Sequence, residues 1–569
     1  MDPAQGVCIL EGNTLRRDMA SGVERPGVER PFALYIMSSR QPERAQLFLS
    51  GMESNHVDAS MHTQSEEERL ANDDGQSDSR IVPQQRTDQV RETKLGNASE
   101  GKAAKLSCES NRPLTRPSVG GAVISRLNRI SDRAKSNAEE VFNNLFSAIT
   151  VDLLRQAFHK LERGKASGID GQTVEQYEVE LESNLQSLEN RLHRESYRPN
   201  PSLRVNIPKG KGQTRPLGIA CIEDKLVQRA VVMILERIYE EDFLPISFGF
   251  RPMKSCHDAL SVLGQDIATG KVNWVSDADI KGFFNNVDHQ HLMELLAIRV
   301  SDPKMLRLIE RFLKAGVMID GHFEETDEGV PQGAVLSPLL GNVYLHYVLD
   351  LWFEREVKPR LEGEAKMVRY ADDFICTFEL ERDARRFQEV LKKRLGRYSL
   401  ELAEDKTKLL RFGRFAERDT KRLDGQSPGT FDFLGFTHYC GHSRTGRFKL
   451  KRKTSSKKLR SKFTDLKEWL RHNLTQPIDE VWKTLNSKLR GHYQYYGIND
   501  NWPSLIKYHE VAKRFAYRWI CRRSQKGRIS LRKYGEYLKR NPLAGPSRLL
   551  DLIAKGRIMA AVAMQAADK

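Results

Sequence analysis

Two short segments carry aspartates in an apolar context that would hold them together. The segment WVSDADI places Asp277 and Asp279 on one face of an extended strand. In the segment KMVRYADDFICTF, two apolar runs flank Asp372 and Asp373, as expected for a β-hairpin with acids at its turn. Adjacent carboxylates repel each other unless a cation joins them. The sequence therefore predicts a site for hard divalent ions with oxygen ligands, Mg²⁺ first.

Acids from a strand and from a hairpin could together clamp two such ions about 3.5–4 Å apart, the arrangement that polymerases use. One ion would activate a 3′-hydroxyl and the other would stabilise the departing pyrophosphate. A lone Asp-Asp turn is usually only a solvated turn, so the hypothesis depends on the full set occurring in order. Asp288 is expected to cap the helix that follows the strand.

The order of the sequence blocks around these acids resembles that of reverse transcriptases. Residues 370–373 read YADD and resemble the YxDD box of that family. Other blocks are similar to the family's and follow in its order: 204–209 (RVNIPK), 215–219 (RPLGI), 279–284 (DIKGFF), 329–338 (GVPQGAVLSP), 400–408 (LELAEDKTK) and 431–436 (FDFLGF). Residues 489–497 (LRGHYQYYG) are similar to the Arg-Gly-x-x-x-Tyr-Tyr signature of proteins encoded within bacterial group II introns.

The resemblance, which covers about residues 125–520, implies an α+β fold of the right-hand polymerase type with an all-α thumb. No Phe, Tyr or Trp lies between Phe48 and Phe142, which predicts a low-complexity, mostly disordered arm. The expected regions are an arm (1–120), N-terminal helices and fingers (121–273), a palm with the catalytic aspartates (274–440), a thumb or maturase region (441–520) and a basic tail (521–569).

Local patterns predict several of the elements. Residues 138–168 are expected to form two helices ending in glycine, followed by a polar helix over about 174–193. Two short strands around a Lys/Gly-rich tip are expected within 197–220, and a helix over about 222–239. Residues 450–520 contain three patterns with helical spacing.

The resemblance implies Asp279, Ile280, Asp372 and Asp373 as the metal set, with the three aspartates catalytic. The family places an aromatic residue five positions after the strand aspartate, where it crowds the sugar 2′ position. Counting from Asp279 gives Phe284, whereas counting from Asp277 gives a glycine. Asp279 is therefore assigned as the ligand, and Asp277 is expected to support it or to lie at the surface.

Positive charge is needed where the triphosphate binds. The resemblance places Lys209 and Arg215, on either side of the glycine-rich tip, at the triphosphate. Lys406 is a third basic candidate, and Gln332 is expected against the nascent base pair.

Basic residues are concentrated at one end of the chain. The net charge is +16, and residues 441–569 alone carry +22, which favours nucleic acid as a partner over a merely solvated surface. The candidates for contact with RNA are Lys451, Arg452, Lys453, Arg490 and Tyr493. For Tyr493 and Tyr496 the alternative is a place in the helix core. The tail over 521–569 could contact DNA or only stabilise the thumb.

The function implied by the resemblance is RNA-directed DNA synthesis with two Mg²⁺ ions and dNTPs, together with binding of intron RNA to assist splicing and target-primed mobility. The expected partners are intron RNA, an RNA template and a DNA primer or target, with homo-oligomerisation left open. No HNH nuclease pattern and no membrane span are found, and a cytoplasmic bacterial protein is expected. The alternatives are a splicing cofactor without polymerase activity and a domesticated reverse transcriptase of a defence system.

Overall fold

The computed structural model describes residues 119–210, 213–423, 427–523, 529–547, 549–552 and 554–555. All but the last two residues of the expected arm lie outside these ranges. The helices are α1 Val119–Ser136, α2 Val151–His159, α3 Val174–Glu178, α4 Leu181–His193, α5 Ile222–Asp242, α6 Cys256–Thr269, α7 His289–Ala297, α8 Pro303–Leu313, α9 Ser337–Leu345, α10 Glu381–Gly396, α11 Ala416–Leu423, α12 Ser456–His472, α13 Ile478–Tyr496, α14 Trp502–Arg522 and α15 Leu531–Arg540.

Within the described ranges, the strands form three separate sheets. They are β1 Ser202–Gly210, β2 Gln213–Ile219, β3 Trp274–Asp279, β4 Val317–Ile319, β5 His322–Glu324, β6 Ala365–Tyr370, β7 Asp373–Phe378, β8 Lys408–Arg411, β9 Phe431–Phe433, β10 Phe436–His442 and β11 Phe448–Thr454. The mixture of helices and strands confirms the expected combination of secondary structure. Among the described residues, no helix is both long and apolar enough to cross a membrane.

The helix prediction for residues 138–168 was wrong in its first half. Phe142 instead forms a parallel bridge with Val300, and a short 3₁₀ turn follows at Phe146–Ala148. The Asp302 carboxylate accepts a hydrogen bond of 2.7 Å from the backbone N–H of Phe146, so a long-range contact replaces helical pairing there. Only α2 forms in this stretch, where Thr150 caps the helix through the N–H of Leu153.

The next elements follow the predictions more closely. The polar helix exists but is divided into α3 and α4, and the first piece begins with a capping box at Thr173. The two strands around the Lys/Gly tip are β1 and β2, which pair antiparallel, while β4 joins β1 in parallel and β5 closes the edge. The predicted helix over 222–239 is α5, and it is buried on most of its surface.

The acid-bearing sheet has the strand order β6-β7-β3-β8 and is antiparallel throughout. Its apolar residues, including Val275 and Ile375, belong to a buried cluster that also contains Phe431, Leu485 and Trp519 from the C-terminal part of the chain. The sheet and the C-terminal helices therefore share one core.

The C-terminal part contains the three predicted long helices, α12 to α14. Ahead of them lies a three-stranded sheet of order β11-β10-β9, and β11 takes up residues that the helical patterns did not account for. Segments of the tail pack back onto these helices. The Trp482 indole donates to the carbonyl of Asn541 at 3.0 Å, and the Asn486 side chain accepts from the N–H of Ala544 at 2.7 Å.

Candidate active site

Strand register brings the aspartates of two distant segments together. The hairpin β6–β7 pairs Tyr370 with Asp373, which leaves Ala371 and Asp372 as a two-residue turn. Ala371 has φ of +60°, the left-handed conformation that such a turn requires. The pairing of β3 with β7 sets Asp279 directly opposite Asp373, and directly opposed residues project to the same face of a sheet. The predicted convergence of strand and hairpin acids is present.

Crowding of these carboxylates disfavours their charged forms. Burial raises the pKa of Asp373 well above its ordinary value, and the charges of Asp277, Asp372 and Asp279 raise it further. Burial likewise raises the pKa of Asp372, with Asp279 adding to the effect while Arg215 opposes it. A divalent cation would relieve this repulsion, and carboxylate oxygens are the ligands that Mg²⁺ prefers.

A lysine supplies positive charge beside the acids. Lys406 Nζ lies 2.5 Å from Asp279 Oδ2, and this hydrogen bond raises the pKa of Lys406. The lysine follows a segment anchored to β3, because the N–H of Ala403 donates to the carbonyl of Asp279 at 2.8 Å. Within the described ranges, no three His, Cys, Asp or Glu side chains are arranged as a group that could hold a metal ion. Lys406, the third basic candidate for the triphosphate, thus contacts the strand acid Asp279 in this structure.

Ile280 can take part in metal binding only through its backbone carbonyl, because its side chain, which is 2% exposed, is a hydrocarbon without a donor atom. It forms an isolated antiparallel bridge with Leu402. The two hydrogen bonds of that bridge run from Lys281 N to Glu401 O and from Ala403 N to Asp279 O. Neither of them uses the Ile280 carbonyl, which leaves this oxygen available beside Asp279.

Asp277 lies two residues behind Asp279 on the same strand face, opposite Lys408 of β8. Burial raises the pKa of Asp277 to about 7, and Asp432 and Asp279 contribute to the rise while Lys408 opposes it. The Asp432 carboxylate itself accepts a hydrogen bond of 2.7 Å from the Ser455 hydroxyl. Asp277 is therefore half-buried between the turn acids and the β9 region.

The ring of Phe284 is held edge-on by two other phenylalanines. Its centroid lies 5.1 Å from that of Phe283 and 6.4 Å from that of Phe250. Gly341 of α9 lies beneath them, and a Cβ at that position would approach ring atoms of Phe283 and Phe284 at 3.1 Å. Phe250 and Gly341 are not predictable from the sequence, since nothing in their local pattern points to the ring they support.

Gln332 forms hydrogen bonds both with the 3₁₀ turn that follows β3, Phe283–Asn285, and with strand β2. Its side-chain amide donates to Asn285 Oδ1 at 3.1 Å, and its backbone carbonyl accepts from the N–H of Gly218 at 2.7 Å. The next residue, Gly333, has φ of +101°, and a Cβ there would lie 2.8 Å from the Gly218 carbonyl oxygen. Only glycine fits this approach of the 329–338 block to β2.

The two triphosphate candidates lie on β1 and β2. Arg215 is exposed on β2, opposite Ile207, and is close enough to Asp372 to lower the pKa of that carboxyl. The backbone of Lys209 belongs to β1, but its side chain lies outside the described part of the chain.

The structure separates the residues expected to contact RNA. Arg490 and Lys453 are exposed, and Lys451 is half-buried. Arg452 is buried at 5% exposure and donates to the Leu260 carbonyl at 2.7 Å, so its assignment to RNA is corrected. Its guanidinium points into the core because the alternation along β11 turns every second residue inward.

Tyr493 also faces inward. It is 8% exposed, and its hydroxyl lies 3.0 Å from His509 Nδ1 on α14. A ring packed in this way is not free to stack on a base, so the helix-core alternative holds for Tyr493. Tyr496, at 6% exposure, is packed in the same core.

A buried ion pair beneath the hairpin was missed. Arg369 donates to Asp350 at 2.7 and 2.5 Å, and both side chains are fully buried. The same guanidinium donates to Asn342 Oδ1 at 3.1 Å and to the Ala371 carbonyl at 2.9 Å. Asp350 ends a short π-helical stretch at His346–Asp350, a distortion common near functional sites. The sequence signal for this pair was a single charged residue in each of two apolar runs: Arg369 in MVRY and Asp350 in YVLDLW.

Comparison with known proteins confirms the resemblance that the sequence blocks indicate. Residues 207–438 match the family described as reverse transcriptase (RNA-dependent DNA polymerase). The chain is 35% identical over 303 residues to the group II intron-encoded protein LtrA of Lactococcus lactis subsp. cremoris, covering 51% of this chain and 50% of LtrA. It is 38% identical over 206 residues to protein YkfC of Escherichia coli (strain K12), covering 36% of this chain and 53% of YkfC.

One relative from a plant is named as an intron maturase. The chain is 29% identical over 176 residues to nuclear intron maturase 2, mitochondrial, of Arabidopsis thaliana, covering 24% of each protein. The chain spans about half the length of the bacterial relatives it matches. Residues 207–438 contain the end of strand β1, all of β2 and all four strands of the acid-bearing sheet, so the matched region includes all three aspartates of the site.

Proposed function

We propose that this chain, with its reverse transcriptase domain of the group II intron type, is an RNA-directed DNA polymerase built as a right hand. The fingers would comprise the β1-β2 sheet, the palm the β6-β7-β3-β8 sheet, and the thumb the helices α12 to α14. The single observation that carries the proposal is the register pairing of Asp279 with Asp373, with Asp372 at the adjoining turn.

The carboxylates of Asp279, Asp372 and Asp373, with the Ile280 carbonyl, would hold Mg²⁺. The donor set suits Mg²⁺ chemically because all its atoms are oxygens, and burial together with the neighbouring carboxylates raises the pKa of Asp372 and Asp373. When bound, two such ions activate the attacking 3′-hydroxyl and stabilise the departing pyrophosphate.

The other side chains would bind and select the nucleotide. Arg215 and Lys209 are proposed to contact the triphosphate of a dNTP, and Lys406 to balance negative charge around Asp279. The Phe284 ring, fixed by its neighbours, would exclude a ribose 2′-hydroxyl by sterics. Gln332, anchored on Asn285 and Gly218, would lie against the new base pair.

Primer extension on an RNA template tests this proposal. Asp372→Asn and Asp279→Asn should each abolish Mg²⁺-dependent cDNA synthesis, because they remove a ligand charge while keeping side-chain size. The matched control is Glu389→Gln, an exposed acid on α10 of the same domain, which should extend primers as the wild type does. Near wild-type extension by either aspartate variant would overturn the assignment.

We further propose that the protein binds intron RNA in the bacterial cytoplasm, assists splicing, and primes synthesis at a DNA target. The support is the similarity to an intron-encoded protein and to an intron maturase, and the +22 charge of residues 441–569, which include the exposed Lys453, Lys457, Lys458 and Arg490. A role as splicing cofactor only is disfavoured by the intact acid set.

Splicing of an intron RNA at low Mg²⁺ concentration separates the two activities. Asp372→Ala should still promote splicing, because RNA binding depends on basic residues away from the acids. Replacement of Lys453, Lys457 and Lys458 by Gln should weaken RNA binding and splicing while extension of a pre-annealed primer at saturating protein persists. The reverse pattern would refute this division of roles.

A further inference from the structure

The last two tyrosines of helix α13 face the β9–β10 hairpin. The Tyr495 ring stacks on Phe436 with centroids 5.9 Å apart, and the Tyr496 ring lies 5.2 Å from the same residue. His257, in the first turn of α6, forms a hydrogen bond of 2.8 Å with the Tyr495 carbonyl. These tyrosines therefore join α13 to other parts of the molecule and do not point into solvent.

The hairpin turn that they contact is strained. Phe433 pairs with Phe436, which leaves Leu434 and Gly435 as a two-residue turn with φ of +50° and +79°. A left-handed conformation is unfavourable for leucine and persists only where surrounding contacts enforce it. The Tyr495 hydroxyl donates to the Leu434 carbonyl at 2.9 Å, and the N–H of Ser455 donates to the Gly435 carbonyl at 3.0 Å, so the phenol is one of two groups that hold the turn.

A second link runs from Tyr495 to the acid-bearing hairpin. The Cys256 thiol, at the first residue of α6, lies beside the phenols of both Tyr495 and Tyr370: burial raises the pKa of each phenol, and the nearby thiol raises it further. Tyr370 is the residue immediately before the turn that carries Asp372. The first turn of α6 is itself fixed, because Ser255 and Asp258 form a capping box and Lys555 Nζ lies 2.7 Å from Asp258.

We propose that Tyr495 is a positioning residue for polymerisation, whose phenol sets the β9–β10 turn relative to the hairpin that carries Asp372 and Asp373. The inference rests on the proposed polymerase function. It gives Tyr495, the first of the two final tyrosines in the Arg-Gly-x-x-x-Tyr-Tyr signature, a role in contacts within the protein and not in contact with RNA. The β9–β10 turn belongs to the 431–436 block, which resembles the block at the primer grip of reverse transcriptases, so its distance from the acids would determine how the 3′-hydroxyl is aligned.

Loss of this hydroxyl should affect the rate of nucleotide addition more than binding. A small displacement of the primer end lowers the fraction of complexes aligned for attack. The dNTP contacts proposed for Arg215 and Gln332 lie on other elements and would be unchanged. Tyr495→Phe is therefore expected to lower kcat about three- to tenfold, the effect of one or two lost hydrogen bonds, with KM for dNTP unchanged.

The control is Tyr534→Phe, which removes a matched hydrogen bond elsewhere. The Tyr534 hydroxyl donates to the Lys513 carbonyl at 2.9 Å, the same distance as in the Tyr495 bond. Cys256→Ala should lower kcat through the second link, and Cys256→Ser, which keeps a hydrogen-bonding group, should restore it. All variants are compared with wild type by extension of a pre-annealed RNA–DNA primer–template over a range of dNTP concentrations up to saturation, which gives kcat and KM, and by Tm.

Each result decides the inference. A kcat reduced in Tyr495→Phe and Cys256→Ala, near normal in Tyr534→Phe and Cys256→Ser, with unchanged KM for dNTP, supports it. Equal kcat in Tyr495→Phe and wild type, or an equal loss in Tyr534→Phe that follows Tm, overturns it while leaving the polymerase proposal intact. A wild-type protein that extends no primer overturns the polymerase proposal and, with it, this role of Tyr495.

Discussion

The acid-bearing sheet and the C-terminal helical region differ in how their functional side chains are positioned. In the sheet, strand register alone places Asp279 opposite Asp373, and a two-residue turn presents Asp372. In the C-terminal region, which begins with the β11-β10-β9 sheet and continues into the helices, the same types of residue that suggest RNA contact are divided between surface and core. Lys453 is exposed, whereas its neighbour Arg452 is buried against the Leu260 carbonyl.

This difference shows why chemistry is easier to infer from sequence in one region than in the other. Strand alternation and a hairpin turn are local rules, so acids that obey them can be placed without knowing their partners. Whether an Arg or Tyr on a helix or edge strand faces RNA or a neighbouring element depends on packing that no local pattern encodes. A basic or aromatic motif therefore indicates only the region of the chain that binds RNA. An acid motif can indicate the individual side chains that form the site.

The largest expected effect is on the buried pair beneath the sheet's hairpin. Arg369→Gln would leave the fully buried Asp350 without its partner and should lower the free energy of unfolding by about 3–5 kcal/mol. Chemical denaturation of wild type, of this variant and of the exposed control Arg386→Gln measures the effect. If the two variants were equally stable, the hairpin would not depend on the pair, and register alone would suffice to hold the acids.

The sugar gate is expected to show the next largest effect. Phe284→Val removes most of the ring that Phe283 and Phe250 hold in place, and the incorporation of ribonucleotides relative to deoxynucleotides should rise about tenfold or more. The ratio of kcat/KM values for matched rNTP and dNTP provides the measurement. Phe323→Val, at an exposed phenylalanine on β5, is the control and should leave the ratio unchanged. An unaltered ratio in Phe284→Val would remove the ring from this role.

Much of the fold around the acids follows from the sequence. The β1 and β2 strands, helix α5, the YADD hairpin, the Asp288 cap and the three long C-terminal helices were all expected, and Asp288 indeed accepts from the N–H of His291 at 2.8 Å. These elements have strong periodicity or turn chemistry. Residues 138–149 were misassigned because their apolar spacing suits a helix. The backbones of Phe142 and Phe146 instead pair with Val300 and Asp302, which are distant in sequence.

The site was predictable to a smaller extent. Asp279, Asp372 and Asp373 converge as expected, but the contact of Lys406 with Asp279 and the buried Arg369–Asp350 pair depend on folding of segments far apart in sequence. The inward orientation of Arg452 required knowledge of strand β11, which the basic composition of residues 449–453 concealed. Composition indicates the charge of a segment but not the direction in which each charge points.

A smaller effect is expected where the tail packs on the helical region. Asn486 accepts from the N–H of Ala544 at 2.7 Å and donates to the Pro542 carbonyl at 3.4 Å. Asn486→Ala should lower the free energy of unfolding by about 1 kcal/mol, without changing affinity for DNA, if the tail stabilises the thumb. Denaturation and DNA binding are measured together, and Thr484→Ala, at an exposed position on the same helix, is the control. A loss of DNA affinity without a loss of stability would favour the DNA-contact alternative.

The smallest expected effect tests the comparison most directly, because it concerns two adjacent residues of one strand. Each Lys or Arg that neutralises a phosphate releases counterions, so removing one contact reduces the slope of log K against log salt by about 0.7–0.9. Lys453 is exposed above the Tyr439 ring, and Lys453→Gln should reduce the slope by up to that amount. Arg452→Gln should leave the slope unchanged and lower stability instead, because the Arg452 guanidinium is buried and bonded to Leu260. Filter binding of intron RNA over a range of KCl concentrations, with Tm recorded for each variant, gives both quantities. A reduced slope in Arg452→Gln and an unchanged one in Lys453→Gln would show that exposure in the free protein does not determine which basic residues meet RNA, and the contrast between the two regions would fail.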